Sequence, residues 1–199
     1  YMEKLEAGIE DLKIPSRLWV MQSNGGLLNP KMASTQSAKT VLSGLAGGVV
    51  GAANWARSLG LKNVVSFDIG GTSTDIALIR DGVPDETNFT EIDSMPLRLP
   101  SVDVHTIGAG GGSIAWLDSG GSLRVGPHSA GAVPGPICYR RGGTELTVTD
   151  AHAVLGRLGG ELLGGRFELD IDAARARMEE FGKSLGLSAE ECAEGIIKV

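Results

Sequence analysis

The chain has 199 residues, a net charge of −6 and an aromatic content of 5%, and its largest basic cluster is the pair Arg140-Arg141, so a nucleic-acid-binding surface is excluded. Hydrophobic residues make up 42% of the chain, which suits a globular core, and no apolar run approaches the ~20 residues of a membrane span. The two cysteines, Cys138 and Cys192, lack CxxC spacing and no apolar signal region follows Tyr1, which predicts a cytoplasmic protein without a disulfide framework or zinc knuckle.

The first part of the chain predicts two helices around a short strand. Apolar residues between Met2 and Leu12 fall at helical spacing, which indicates an amphipathic helix that begins before Tyr1. A strand over residues 17–21 leads into the polar turn Gln22–Gly26, which is either a ligand loop or an ordinary connection. The helical pattern of residues 35–59 carries several glycines on one face, so its backbone should lie close to a second helix or a nucleotide, and Gly60 is expected to end it.

The most informative segment is an apolar strand from Val64 that ends in Asp68 and continues through two glycines and three hydroxyl residues into a second strand at Asp75. Adjacent glycines allow close approach to the backbone, and a carboxylate can hold a hydrated cation. The segment therefore favours a phosphate and magnesium cradle in which Asp68 faces the cation and residues 70–74 face phosphate oxygens. The alternative is a plain β-hairpin with a glycine turn and a capping aspartate.

The remaining elements alternate between strands, glycine turns and helices. Asp81-Gly82 is a hairpin signal, and residues 83–101 form a polar excursion before a half-exposed strand at 102–107. A glycine-rich loop follows at 108–112, then a turned-back pair of strands, and residues 126–143 read as an ordered loop or lid. Asp150, Asp172 and Ser188 are the expected N-caps of three helices, the last of which should continue beyond Val199.

In their order along the chain, these segments resemble the actin-like ATPase superfamily. The small-residue run Ser43–Gly48 is similar to its connecting helix, Asp68–Asp75 to its second phosphate motif, and Gly108–Gly112 to its adenosine motif. The resemblance implies an α/β fold with a ribonuclease H-like core, a mixed sheet flanked by helices. Because the first phosphate motif is missing, it also implies a fragment of a larger chain.

A closer resemblance is to the hydantoinase A/5-oxoprolinase family, which includes the A-type chain of N-methylhydantoinase and the β-type subunits of acetone and acetophenone carboxylases. Six blocks in one order over residues 19–158 carry it, among them Phe67–Ile76, Asp103–Ala115 and Thr147–Gly156. Leu45 stands where the family usually has proline, and His152 where asparagine is common. We expect residues 1–199 to form one hydantoinase A-type segment, with helices over 159–199.

The family resemblance implies an ATP-dependent enzyme chain that opens hydantoin- or 5-oxoproline-like cyclic amides, with no nucleic acid or membrane partner but with Mg²⁺ and a B-type partner subunit. Asp68 would orient Mg²⁺ through water, and Asp75 would polarise water or cap the turn. The nucleotide would be held by residues of both glycine segments: Gly70, Gly71, Thr72, Ser73, Thr74, Gly108, Gly110, Gly111 and Gly112. Alternatives are a chaperone-like or actin-like nucleotide switch without small-substrate turnover, and the β-type subunit of a ketone carboxylase.

Structural interpretations are preferred for five further residues. His105 and His152, with Asp103 and Asp150, are the residue types of a metal site, but ordinary structural roles are favoured because the sequence does not show that they meet. Cys138 lies in a Pro/Gly segment without a catalytic signature, so a packed thiol is expected rather than a nucleophile.

Overall fold

The structure is a computed structural model that describes residues 1–92 and 95–199, and it divides into two compact units. The first comprises residues 1–68 and 75–105, and the second comprises residues 69–74 and 106–199. The predicted excursion over residues 83–101 contains residues 93–94, which lie outside the described residues; the rest of it forms short strands. No helix in the described ranges has the length and apolar character needed to cross a membrane.

The first unit begins with helices and a small hairpin: α1 (Met2–Asp11), β1 (Val20–Met21), β2 (Leu27–Leu28), α2 (Pro30–Thr35), a 3-10 turn (Ser37–Thr40) and α3 (Ser43–Ser58). The helix predicted over 35–59 therefore begins later, at Ser43. The cause is Ser23, whose N–H and hydroxyl both donate to the Lys39 carbonyl while its oxygen accepts from the Leu42 N–H. These bonds fix the chain in a turn before α3. Gly60, with φ +72°, ends α3 as expected.

Strands follow α3: β3 (Val64–Ile69), β4 (Thr74–Arg80), β5 (Val83–Pro84), β6 (Glu86–Thr87), β7 (Thr90–Ile92), β8 (Met95–Leu97), β9 (Ser101–Val102) and β10 (Val104–Ile107). The main sheet has the order β10-β4-β3, with β5 on β4. The hairpin at Asp81-Gly82 is confirmed: both residues have positive φ, and Arg80 pairs with Val83. Alanines of α3 pack with Val49, Ala77 and Ile79 in the core.

Strand β3 differs from the buried strand that its composition predicts. Val65, Phe67 and Ile69 are 52%, 64% and 68% exposed. Alternate residues of a strand point to the same face of the sheet, so these three side chains share a face that the described residues leave largely exposed. The apolar run is real, but the described residues do not bury it.

The second unit contains β11 (Ser113–Leu117), β12 (Leu123–Ser129), a 3-10 turn (Ile137–Tyr139), α4 (Val148–Val154), β13 (Glu161–Leu162), β14 (Phe167–Glu168), α5 (Ile171–Lys183) and α6 (Ala189–Lys198). The three helices pack on a core that includes Cys138, Leu146, Met178, Cys192 and Ile196. Strand β12 extends to Ser129, so the irregular segment expected over 126–143 starts later.

Two of the three predicted helix caps are displaced. The side chain that caps α4 is Thr147, and Asp150 is the third helical residue, joined to Thr147 in a reciprocal capping box. Asp170, not Asp172, caps α5 by accepting from the Ala173 N–H. The Ser188–Glu191 capping box of α6 is confirmed. The hairpin of β13 and β14 interrupts the 159–199 segment that was expected to be helical.

Candidate functional site

The first glycine segment forms a tight turn with unused backbone donors. The Gly70 N–H donates to the Ser73 carbonyl at 2.8 Å, which closes the turn between β3 and β4. Among the hydrogen bonds of residues 1–92 and 95–199, none is donated by the amides of Gly71, Thr72 or Ser73. Gly71 and Thr72 are exposed. Successive free N–H groups of this kind can bind an anion such as phosphate.

The second glycine segment, residues 108–112, is hydrogen-bonded directly to the first. The Gly111 N–H donates to the Gly70 carbonyl at 2.9 Å, and the Gly112 N–H donates to the Gly71 carbonyl at 2.6 Å. The buried Thr74 hydroxyl donates to the Ala109 carbonyl at 2.6 Å. The two segments thus form one backbone framework within the second unit. Thr74, expected at the phosphates, directs its hydroxyl proton into this framework.

Close packing explains why the second segment contains glycine. A Cβ on Gly110 would lie 2.7 Å from the Gly70 carbonyl oxygen, and one on Gly112 would lie 2.7 Å from the Gly71 carbonyl oxygen. Neither approach is possible for a real side chain. By contrast, a Cβ on Gly71 would meet nothing within 4 Å. Gly110 and Gly112 therefore serve protein packing, while the backbone at Gly71 is open to a ligand.

Both segments line one cavity of about 610 Å³ in the second unit, a size typical of small-molecule sites. Its polar wall consists of backbone from both glycine segments with Thr149 and His152, and its apolar wall includes Val125, Val148 and Ile196. No Asp, Glu, Lys or Arg side chain lines it in the described part of the chain. The cavity thus offers amide and hydroxyl groups on one side and an apolar surface on the other.

The half-buried His152 is the histidine of this cavity. Burial of the imidazole, assisted by the charge of Arg157, lowers the pKa of His152 from its ordinary value of about 6.5. The side chain is therefore neutral at pH 7 and can both donate and accept a hydrogen bond.

The predicted acidic residues Asp68 and Asp75 lie in the first unit, where they line a smaller cavity of about 170 Å³ with Gly48, Ser66 and Val104. Asp68 is exposed, and its carboxylate has no hydrogen-bond or ion-pair partner among the described residues. The structure thus brings the two aspartates together at one cavity and places Thr74 at another with four of the predicted glycines, Gly70, Gly71, Gly110 and Gly111.

The donor set at Asp68 suits a hydrated magnesium ion. Mg²⁺ keeps several waters and usually takes one or two protein carboxylates, so a single accessible carboxylate is sufficient. In the described ranges no three His, Cys, Asp or Glu residues are arranged to hold a metal ion. A metal site built from several protein ligands is therefore not supported there.

Asp150 is the residue whose role the sequence interpretation missed. Its fully buried carboxylate accepts hydrogen bonds from the N–H groups of Ile137, Cys138 and Thr147 and from the Thr147 hydroxyl. With its oxygens so occupied, Asp150 is a structural residue and not a metal ligand. The Thr147-x-x-Asp150 spacing was the available signal. The neighbouring Cys138 thiol is buried, and desolvation together with the Asp150 charge raises its pKa, so it is a packed thiol as expected.

Comparison with known proteins identifies the family of this chain. A profile described as hydantoinase/oxoprolinase matches residues 1–199. The alpha subunit of caprolactamase from Pseudomonas jessenii is 44% identical over 99% of the chain, and the 5-oxoprolinase of Saccharomyces cerevisiae is 38% identical over all of it. The chain spans 29% and 16% of the length of these relatives.

The solved nucleotide-free structure of acetone carboxylase, from a study of ATP-dependent acetone carboxylation, superimposes with a TM-score of 0.84 over 99% of this chain and 28% of that one, at 34% identity. This likeness confirms the predicted class, an α/β fold with an actin-like ATPase core. Together with the profile match, it shows that the chain belongs to the hydantoinase/oxoprolinase family.

Proposed function

We propose that the full-length protein is an ATP-dependent amidohydrolase subunit that opens hydantoin- or 5-oxoproline-like cyclic amides, and that this chain supplies part of its nucleotide site. The observation that carries the proposal is the pair of hydrogen-bonded glycine segments that line one cavity beside three unused backbone amides. The named activities of the family relatives, caprolactamase and 5-oxoprolinase, support the substrate class.

The chemistry explains the need for ATP. An amide carbonyl is a poor electrophile because its nitrogen donates electron density. Phosphorylation of the amide oxygen makes the carbon open to attack by water, after which the ring C–N bond breaks with a proton going to the nitrogen. A second water then releases the phosphate and leaves the carboxylate. Phosphoryl transfer depends on positioned donors and cations more than on covalent chemistry by side chains. ATP, when bound, supplies the phosphoryl group.

Apart from Gly70, whose amide is used within the turn, each predicted site residue has a role in this proposal. The amides of Gly71, Thr72 and Ser73 bind phosphate oxygens, and Asp68 orients hydrated Mg²⁺. The segment Gly108–Gly112 lies beneath the adenosine. The Thr74 hydroxyl holds this segment to the turn Gly70–Ser73, which we call the phosphate turn. Asp75 either polarises water or caps the turn.

We further propose a cytoplasmic location and a B-type partner subunit. The alpha subunit of caprolactamase and the beta subunit of acetone carboxylase are named as parts of larger assemblies, which supports a partner for this protein. The two unpaired buried cysteines, Cys138 and Cys192, suit a reducing compartment.

A second candidate is a ketone carboxylase subunit. Its support is the similarity to the acetone carboxylase structure and to the acetophenone carboxylase gamma subunit, which is 40% identical over 87% of the chain. In that reaction the enol oxygen of a ketone is activated in place of an amide oxygen. A third candidate, a nucleotide switch, would hydrolyse ATP without a small substrate.

A substrate panel separates the three candidates. The full-length protein with its partner subunit is assayed for Mg²⁺-dependent ATP hydrolysis alone, with 5-oxoproline, hydantoin or caprolactam, and with acetone or acetophenone plus bicarbonate. The amidohydrolase proposal predicts stimulation by a cyclic amide with matching ring opening. Stimulation by a ketone alone would favour the carboxylase, and ATP hydrolysis that no substrate changes would favour the switch.

A further inference from the structure

We propose that Thr149 is a positioning residue of the nucleotide site: it fixes the Gly108–Gly112 segment by holding the Gly111 carbonyl. The inference rests on the proposed function for the identity of the ligand. Its geometric basis lies entirely within the second unit.

Thr149 holds Gly111 with two hydrogen bonds. Its backbone N–H donates to the Gly111 carbonyl at 2.7 Å, and its hydroxyl donates to the same oxygen at 2.8 Å. The residue is 9% exposed, so the bonds are largely protected from water. A carbonyl with both lone pairs engaged has little freedom to rotate.

The same residue, Gly111, connects Thr149 to the turn Gly70–Ser73. The Gly111 N–H donates to the Gly70 carbonyl, which immediately precedes the unbonded amide of Gly71. A hydrogen-bonded path therefore runs from Thr149 through Gly111 to the turn whose amides face a ligand. The Thr149 hydroxyl also lies 2.7 Å from the position of a Cβ on Gly111, so the threonine can approach only because that residue is glycine.

Thr149 is itself held in place from the opposite side. It is the second residue of α4, between Thr147 and Asp150, whose side chains form the reciprocal capping box. The Asp150 carboxylate fastens this turn to the backbone of Ile137 and Cys138. The hydroxyl of Thr149 thus comes from a rigid helix start and donates its proton to Gly111, which makes it a positioning group although the residue also lines the cavity.

The test compares variants of the full-length protein. Thr149→Val keeps the shape and removes the hydroxyl, while Thr149→Ser keeps the hydroxyl and removes the methyl group. Because one buried hydrogen bond is lost, we expect Thr149→Val to weaken ATP binding about fivefold, with kcat changed less than about twofold. Thr149→Ser should bind within about twofold of wild type. Calorimetric ATP titration and steady-state kinetics measure both quantities.

Thr147→Val is the matched control, since it removes a buried hydroxyl that bonds Asp150 and not Gly111, while the backbone N–H of residue 147 still bonds Asp150 and keeps the helix start fastened. It should lower the melting temperature while ATP binding stays within about twofold. If Thr149→Val does not fold, Thr149→Cys, which has a weak S–H donor, takes its place and should bind more weakly than the serine variant.

The outcomes separate the positioning role of Thr149 from the proposed function. Unchanged ATP affinity in Thr149→Val, or an equal loss in Thr147→Val, would overturn the positioning role and leave the proposed function standing. Wild-type protein that binds no ATP would overturn both.

Discussion

Two glycine-rich regions look alike in the sequence but differ in what surrounds them. In α3, a Cβ on Gly44 or Gly51 would meet nothing within 4 Å, whereas one on Gly110 or Gly112 would strike backbone at 2.7 Å. The glycines of the second region are required by contacts within the described chain. Those of α3 are not, because a Cβ on Gly47 or Gly48 would meet side-chain atoms of Met21 or Asp68 only at the ordinary contact distances of 4.0 and 3.7 Å. The very close approach expected for that helix is therefore absent from the described residues. The number of glycines in a segment therefore does not show whether close contacts require them until the surroundings of each Cα are known.

The comparison is tested most strongly by Gly110→Ala. The new methyl group would lie within 2.9 Å of backbone atoms of Gly71 and Ser73 as well as near the Gly70 carbonyl. Because backbone cannot move aside cheaply, we expect the free energy of unfolding to fall by about 3 kcal/mol or more. Chemical denaturation measures the change. Wild-type stability in this variant would mean that the two glycine segments are not packed as described.

Asp150→Asn tests the helix start behind the second region. The asparagine places an NH₂ group among N–H and O–H donors that now all point at a carboxylate. We expect a loss of about 2–3 kcal/mol in the free energy of unfolding. Asp172→Asn, at an exposed position of α5, is the control and should change stability by less than about 0.5 kcal/mol. Equal effects of the two substitutions would contradict the assigned role of Asp150.

Asp68→Asn should reduce activity and leave stability unchanged, whereas Asp150→Asn acts on stability. Asp68 is exposed and unpartnered among the described residues, so its neutralisation should leave the melting temperature unchanged. Phosphoryl transfer by the full-length protein should fall on the order of 10²-fold, because an amide holds hydrated Mg²⁺ poorly. Magnesium titration of ATP hydrolysis measures the loss, with Asp103→Asn, an exposed aspartate of the same unit, as control. Near-normal activity at saturating Mg²⁺ and ATP would make Asp68 a turn residue only.

The smallest expected effect is that of Gly51→Ala in α3. With open space around its Cα and no positive φ, alanine adds helix propensity at no steric cost. The free energy of unfolding should rise by about 0.5–1 kcal/mol. Destabilisation would show that a part of the full-length protein contacts this helix at Gly51.

How far the sequence predicts the structure depends on whether a feature is local. The Asp81-Gly82 turn and the Ser188–Glu191 capping box follow from spacing alone, and both are present. The start of α3 is not local, because Ser23 fixes it from about twenty residues away in the chain through bonds to Lys39 and Leu42. The spacing of apolar residues does not show at which residue α3 begins.

The candidate site also combines local features, which the sequence predicts, with contacts between distant residues, which it does not. The turn at Gly70–Ser73 is a local pattern that predicts accessible amides, but the amide of Gly70, one of those expected to face phosphate, closes the turn instead. The cap at Thr147 was missed because Asp150 is itself a good capping residue, and only the reciprocal bonds distinguish the two. The contacts of Gly111 with Gly70 and Thr149 join residues distant in sequence, so they required the fold.

The central claim is that the unbonded amides of the phosphate turn bind the nucleotide, and millisecond hydrogen exchange of the full-length protein tests it most directly. The amides of Gly71, Thr72 and Ser73 have no acceptor within the described residues, so they should exchange rapidly in the free protein. Saturating Mg²⁺ and a non-hydrolysable ATP analogue should slow exchange in peptides that cover residues 70–74, with no comparable change over α5. Nucleotide binding confirmed by calorimetry without protection of residues 70–74 would contradict the account.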